Sequence, residues 1–228
     1  MESANVVGYS GVELRTGAKG MGASFVNIDA SAINLQDLKV TGYDIEEGYG
    51  DEEVYVQTLD RAGRTIASYF WYDLSDDGMY GWYDENGDYV EDLIIPAGEG
   101  LYAYSPDASF VIQSAGQVPT SDITVVLRTG AKHVVNSTPV EANIQGLNVT
   151  GYDTEEGYGD EEVYVQTLDR AGRTIASYFW YDLTDDGMYG WYDEAGEFVE
   201  DLVIPPGESV YAYSPDETYS IVMPGVTL

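Results

Sequence analysis

Cysteine is missing from all 228 residues, so neither a disulfide nor a thiolate metal site can form. Basic residues are scarce, with nine Lys and Arg against 41 Asp and Glu, and histidine occurs once, at His133. No apolar run approaches the ~18 residues a membrane helix needs, so membrane insertion is not expected. No basic-then-apolar signal opens the chain. We read such a signal as already removed, with Met1 added at a processed end, which makes an extracellular or cell-surface protein the expectation. A net charge of −32 argues against nucleic acid, whose binding needs Lys and Arg to displace counterions. It argues equally against an anionic membrane surface. It suits divalent cations, cationic partners, or solubility in salt.

What the chain does have is a repeat. Val54 to Leu74 and Val163 to Leu183 are identical across 21 positions, at an offset of 109 residues. The same offset relates Val40–Asp44 to Val149–Asp153 and Tyr102–Asp107 to Tyr211–Asp216. Upstream, Leu14–Lys19 matches Leu127–Lys132 at an offset of 113, so the second copy is four residues shorter in the loop that follows. The charge divides evenly as well: 21 acids and five bases precede residue 119, and 20 acids and four bases follow, leaving −16 in each half. A period this long suits an independent domain rather than a solenoid unit. The expected domains are residues 1–118 and 119–228, joined through the Gly/Pro/Ser stretch Ser114 to Asp122. So short a link implies a nearly fixed angle between them.

Strand signals dominate within each copy. Glu53–Leu59 alternates and is rich in β-formers; Arg64–Tyr72, Met79–Tyr83, Tyr89–Ile95, Leu101–Tyr104 and Phe110–Ile112 follow, separated by turn residues. Ser75–Gly78 reads as a turn and Asn86-Gly87 as the strongest hairpin signal. Only Ile33–Leu38 suggests a helical turn, and its counterpart Asn143–Leu147 weakens even that. The expected fold is all-β: two tandem antiparallel β-sandwich, or barrel-like, domains of about 110 residues each.

Two short motifs, Asn5-Val-Val-Gly-Tyr9 and Pro96-Ala-Gly-Glu-Gly-Leu-Tyr-Ala-Tyr104, resemble those of small secreted bacterial proteins of unknown function. Such proteins pair an N-x-V-G-Y opening with a P-G-E-G-aromatic strand. The second copy keeps Pro206-Gly-Glu208 and then departs, with Ser209 at the next glycine. The resemblance implies an exported, β-rich protein and brings no activity with it.

Four groups of residues could carry function. Asp73, Ser75, Asp77 and Asp84, with Gly78 between, occupy positions 1, 3, 5, 12 and 6 of an oxygen-ligand loop; Asp182, Thr184, Asp186 and Asp193 repeat it. That spacing points to Ca²⁺, since carboxylates replace the hydration of a hard cation. A plain Asp-Gly hairpin explains the same residues without metal. Tyr43 to Glu53 forms a second acidic stretch. Trp71, Trp82, Trp180 and Trp191, with neighbouring tyrosines, are candidates for a sugar-binding or adhesive platform, or for core packing. At the chain ends, Val6, Val7, Tyr9, Val226 and Leu228 suggest association: a following subunit docking as domain two docks on domain one would give a head-to-tail homopolymer. Catalysis has little to work with. His133 stands where the first copy has Gly20, so no shared site can use it, and no carboxylate pair stands out for a glycosidase. The leading expectation is a non-catalytic structural subunit of a fibre or surface coat, stabilised by calcium and free of organic cofactors. A glycan-binding module is the alternative.

Overall fold

The computed structural model of the chain describes residues 7–14, 17–23, 25, 32–42, 54–59, 64–74, 78–105, 110–127, 130–151, 163–168, 173–183, 187–214 and 219–227. The first repeat contributes β1 (Val7–Glu13), β2 (Gly17–Met21), β3 (Ala32–Asn34), β4 (Lys39–Thr41) and β5 (Tyr55–Leu59). It continues with β6 (Thr65–Leu74), β7 (Met79–Asp84), β8 (Ile94–Pro96), β9 (Leu101–Ser105) and β10 (Val111–Gln117). The second contributes β11 (Ile123–Val126), β12 (Gly130–Val135), β13 (Ala142–Asn143), β14 (Asn148–Thr150) and β15 (Tyr164–Leu168). Its last five are β16 (Thr174–Leu183), β17 (Met188–Asp193), β18 (Val203–Ile204), β19 (Ser209–Ser214) and β20 (Ser220–Met223).

The fold is all-β, with antiparallel sheets, as the strand pattern led one to expect. Each repeat divides its strands among three small sheets. In the first these are β2-β9-β5-β6-β7, β1-β10-β4 and β3-β8; the second repeats the plan as β12-β19-β15-β16-β17, β11-β20-β14 and β13-β18. Every ladder is antiparallel. Side chains from all three sheets of a repeat meet in one buried cluster, and each repeat has its own.

Strand periodicity explains which residues enter that core. Along β9, Leu101, Ala103 and Ser105 are buried while Tyr102 and Tyr104 lie on the opposite face, half-exposed. At the centre, Trp71 and Trp82 are direct partners across β6 and β7, edge to face with ring centroids 5.4 Å apart. The Trp82 indole N–H donates to the Leu38 carbonyl at 2.8 Å, which ties β7 to the chain entering β4. Trp191 makes the same bond to Leu147 at 2.7 Å.

Three sequence expectations change. Both copies form a 3-10 turn, Leu35–Asp37 and Ile144–Gly146, because Asn34 and Asn143 cap them by accepting from the N–H groups of Gln36 and Gln145. The Tyr89–Ile95 strand shrinks to β8: the Leu93 carbonyl accepts from Leu35 N–H and the Val90 carbonyl from the Gln36 side chain, so these groups leave no ladder to form. The supposed linker from Ser114 begins inside β10, where Ser114 to Gln117 pair with Ser10 back to Val7. The Asn86-Gly87 turn forms, yet Asn86 is not what it depends on. Asp84 and the positive φ of Gly87 (81°) set the turn, and Asp193 with Gly196 (78°) rebuild it where Ala195 replaces Asn86.

Gln145 is the second repeat's clasp. Its amide donates to the carbonyls of Trp191 and Val199 at 2.8 and 2.7 Å and accepts from Trp191 N–H at 3.1 Å. Gln145→Ala leaves these backbone groups without their partner, and we expect urea unfolding to show a loss of about 3 kcal/mol with an unchanged m-value.

Candidate functional site

The four groups of sequence candidates fare differently. Of the proposed calcium loops, Ser75, Asp77, Thr184 and Asp186 lie outside the described residues, as does the acidic stretch 43–53. The remaining aspartates do not converge. Asp73 pairs with Tyr80 and Asp84 with Tyr69, which separates them by four residues of strand, about 13 Å; Asp182 and Asp193 are placed the same way. An oxygen-ligand loop needs its first and twelfth positions together, and an antiparallel hairpin holds them apart. Asp84 instead closes the next turn, its carboxylate accepting from the N–H groups of Asp88 and Asn86, both at 2.9 Å. The Asp88 N–H above all, with those of Asn86 behind it, holds this carboxyl below the usual carboxylate value. Among the described residues no three His, Asp or Glu gather as metal ligands do.

The tryptophans are no surface platform. Trp71, Trp82, Trp180 and Trp191 are 0%, 0%, 1% and 0% exposed, because the consecutive aromatics of β6 and β16 alternate and the tryptophans fall on the core face. Of the chain-end residues, Val6 and Leu228 lie outside the described residues. Val7 and Tyr9 are exposed on β1. Val226 is half-buried in the second repeat, its N–H donating to the Pro119 carbonyl at 2.9 Å. The two ends thus belong to different repeats.

The repeats meet in a reciprocal contact. Gly22 N–H donates to the Gly207 carbonyl at 3.0 Å, and Val135 N–H, at the position matching Gly22, donates to Gly98, the position matching Gly207, at 2.8 Å. Met21 bridges to Glu208 and Val134 to Glu99, again by matching positions. Lys19 pairs with Glu208 at 2.6 Å, and its counterpart Lys132 pairs with Glu99. Each lysine also donates to a carbonyl of its own repeat, Glu13 at 3.3 Å and Val126 at 3.1 Å. Such a contact is two-fold. The head-to-tail expectation assumed that domain two docks on a different face of domain one, and the contact overturns that premise. Gly98 packs closely there: its φ is 78°, and a β-carbon on it would come within 2.4 Å of the Val125 side chain, so it admits no side chain.

Around this contact lie three hollows. One of about 520 Å³ runs past Lys19, Gly20, Ile175, Leu202, Val203 and Glu208, and its two-fold mate beside Leu93, Ile94, Glu99 and Lys132 measures about 140 Å³. Between them, a hollow of about 280 Å³ is lined by matched pairs: Gln57 and Gln166, Thr65 and Thr174, Tyr102 and Tyr211. His133 lines all three. Its ring stacks near Tyr102, with centroids 5.9 Å apart, and meets Tyr211 edge-on at 5.2 Å. Nδ1 lies 3.0 Å from the Ser209 hydroxyl, while Nε2 is buried with no hydrogen-bond partner among the described residues. A methyl group on Gly20 would overlap both the His133 ring and Ser209, so the histidine occupies room that its matching glycine leaves open.

No protein-family model matches the chain, and no curated protein or solved structure matches it either. The reciprocal site therefore stands on its own geometry. Sequence reasoning aligned Lys19 with Lys132 and Glu99 with Glu208 but did not pair them. The available signal was that two of only three lysines occupy matching positions.

Burial lowers the His133 pKa from 6.5 to about 4, so the folded ring is neutral near pH 7. Between those values the unfolded chain binds the proton and the folded chain does not, so stability is lost as pH falls through that window. The His133 share amounts to about 3 kcal/mol by pH 4 and vanishes above pH 7. We expect the wild-type and His133→Gln unfolding free energies, measured in urea from pH 7.5 to 4.5, to diverge as pH falls, with the wild type losing more.

Proposed function

We propose that the protein is a non-catalytic, extracellular structural subunit that associates with further copies of itself through the edge of β1. The observation that carries this reading is the character of that edge. In a chain of net charge −32, Val7 to Val12 holds no charged side chain, and Val7 and Tyr9 are 57% and 85% exposed. Among the described residues β1 is the terminal strand of its sheet, and it is seven residues long. Edge strands of monomeric proteins are usually short or guarded by charge, proline or a bulge; here Glu13 guards one end alone. Strand addition would use the outer backbone groups of β1 and cover its exposed valine and tyrosine.

Assembly partners follow from symmetry. Pairing of β1 with β1 of a second chain closes as a dimer, whereas pairing with a different edge, such as β11 of the second repeat, propagates. The fibre or coat reading requires the second. Repulsion between chains of this charge opposes either contact, so millimolar calcium or salt favours association. The extracellular location rests on the resemblance to secreted proteins. No helix among the described residues is long and apolar enough to cross a membrane. Sedimentation velocity across protein concentration, with and without millimolar Ca²⁺, is expected to show concentration-dependent association that Tyr9→Lys reduces at least tenfold. A wild type that stays monomeric in both conditions removes the reading.

Glycan binding remains a second reading, moved from the tryptophans to the tyrosines. On the face away from the core, Tyr104 stacks on Tyr55 at 4.9 Å and Tyr55 tilts against Phe70 at 5.7 Å. Tyr213, Tyr164 and Phe179 repeat the row at 4.9 and 5.8 Å. Half-exposed rows of this kind offer flat faces to sugar rings. A glycan array that yields hits in the wild type and loses them in the Tyr55→Ala, Tyr164→Ala double variant is the expected result.

A further inference from the structure

The second repeat holds a hollow that the first has filled. It measures about 310 Å³ and lies between Thr138 and the chain leaving β20, with Val140, Leu147, Met223 and Val226 among its walls. When the 113-residue offset is continued past Val135, Thr138 stands where the first repeat has Phe25. Phe25 is 1% exposed and lies so close to Gly8 that a β-carbon there would come within 2.2 Å of its ring. Gly8 pairs with Gly116, and the residue matching Gly116 is Gly225, which borders the hollow. Thr138 and Gly225 thus leave open in the second repeat a place that a benzyl ring occupies in the first.

The open place asks for an apolar occupant. Asn136 and Thr138, its two buried polar side chains, are already engaged. The Asn136 amide donates to the Val140 and Ile204 carbonyls at 2.7 and 2.8 Å and accepts from the Thr138 N–H and hydroxyl at 3.0 and 2.7 Å. Where a large side chain is missing, the space left behind takes up a ring of similar size. Glu141 is the single charged residue on the wall among the described residues.

The chain carries a ring that lacks a place. Tyr9, 85% exposed, is the most exposed large apolar side chain among the described residues. Its match in the second repeat is Asp122, so the free ring belongs to the first repeat alone, as the hollow belongs to the second. Val7 to Val12 carries no charge, which lets this strand approach another copy with less repulsion than the rest of a chain of −32. We propose that Tyr9 of one chain seats in the Thr138–Gly225 hollow of a second copy. The inference rests on the reading that copies associate through β1, and it names the surface that receives that strand. Ring and hollow are unlike surfaces, so the contact is heterologous.

The test uses untagged full-length chains in sedimentation velocity with millimolar Ca²⁺. Gly146→Leu blocks the hollow from its wall. A β-carbon at Gly146 meets nothing within 4 Å, and the first repeat carries Asp37 at the matching position, so the fold accepts a side chain there. Tyr9→Ala and Gly146→Leu are each expected to associate at least tenfold more weakly than the wild type, and Tyr9→Phe to associate as the wild type does. An equimolar mixture of Tyr9→Ala and Gly146→Leu is expected to give 1:1 dimers, because one chain supplies the hollow and the other the ring. If Tyr9→Ala is impaired while Gly146→Leu associates like the wild type, or if the mixture stays monomeric, the hollow is not the receptor and association through β1 stands without it. A wild type that stays monomeric overturns both.

Discussion

Among the described residues three backbone hydrogen bonds cross between the repeats, from Gly22 to Gly207, from Val135 to Gly98 and from Gly100 to His133; they fix how the two repeats face each other, and much else follows from them. They join matching segments, so the contact is its own mirror in sequence terms. It places the ion pairs, sets the hollows on either side of the axis, and buries His133 between two tyrosines. Without that registration Gly98 would have no reason to be glycine on packing grounds, and Gly20 none to lack a side chain.

Charge makes the same contact demanding. Each half carries −16, so bringing the halves together works against their repulsion. Two of the three lysines stand at the meeting line, each opposite a glutamate of the other repeat. Partly exposed pairs of this kind contribute only about 0–1 kcal/mol each. Their larger effect is to keep the interface locally neutral while backbone bonds and apolar packing hold it. Ala97 illustrates the packing: it belongs to the first repeat yet lies against the core of the second.

The sequence was legible where its information is local or repeated. Alternation along β9 and the turn residues around β6 and β7 announce strands directly, and the long identity announces two units. The sequence was misleading where partners come from far away. The Tyr89–Ile95 segment alternates well enough for a strand, but Gln36 and Leu35, more than fifty positions earlier, take up its carbonyls. The twelve-position spacing from Asp73 to Asp84 suits a metal loop only if the chain curls, and pairing with β6 instead draws Met79 to Asp84 out as a strand. Trp71 and Trp82 show the same limit. Their abundance suggested a platform, while the parity of the strand, readable only once its core face is known, sent them inward. The interface was hidden for a different reason, since the matched lysines Lys19 and Lys132 mark a shared position without saying which surface of the other copy it will touch.

The pairing of Gly20 with His133 carries a consequence for how such a protein can change. Two identical subunits around an axis must present the same residue twice, so a bulky ring at the centre would collide with itself. Joining the copies in one chain lifts that restriction. Each side can then accept a substitution whose complement arises on the other, as ring and vacancy, or as Ser209 and Gly100, have done here. The centre of the molecule is therefore where its two halves are freest to become unlike, even though 21 consecutive residues elsewhere remain the same.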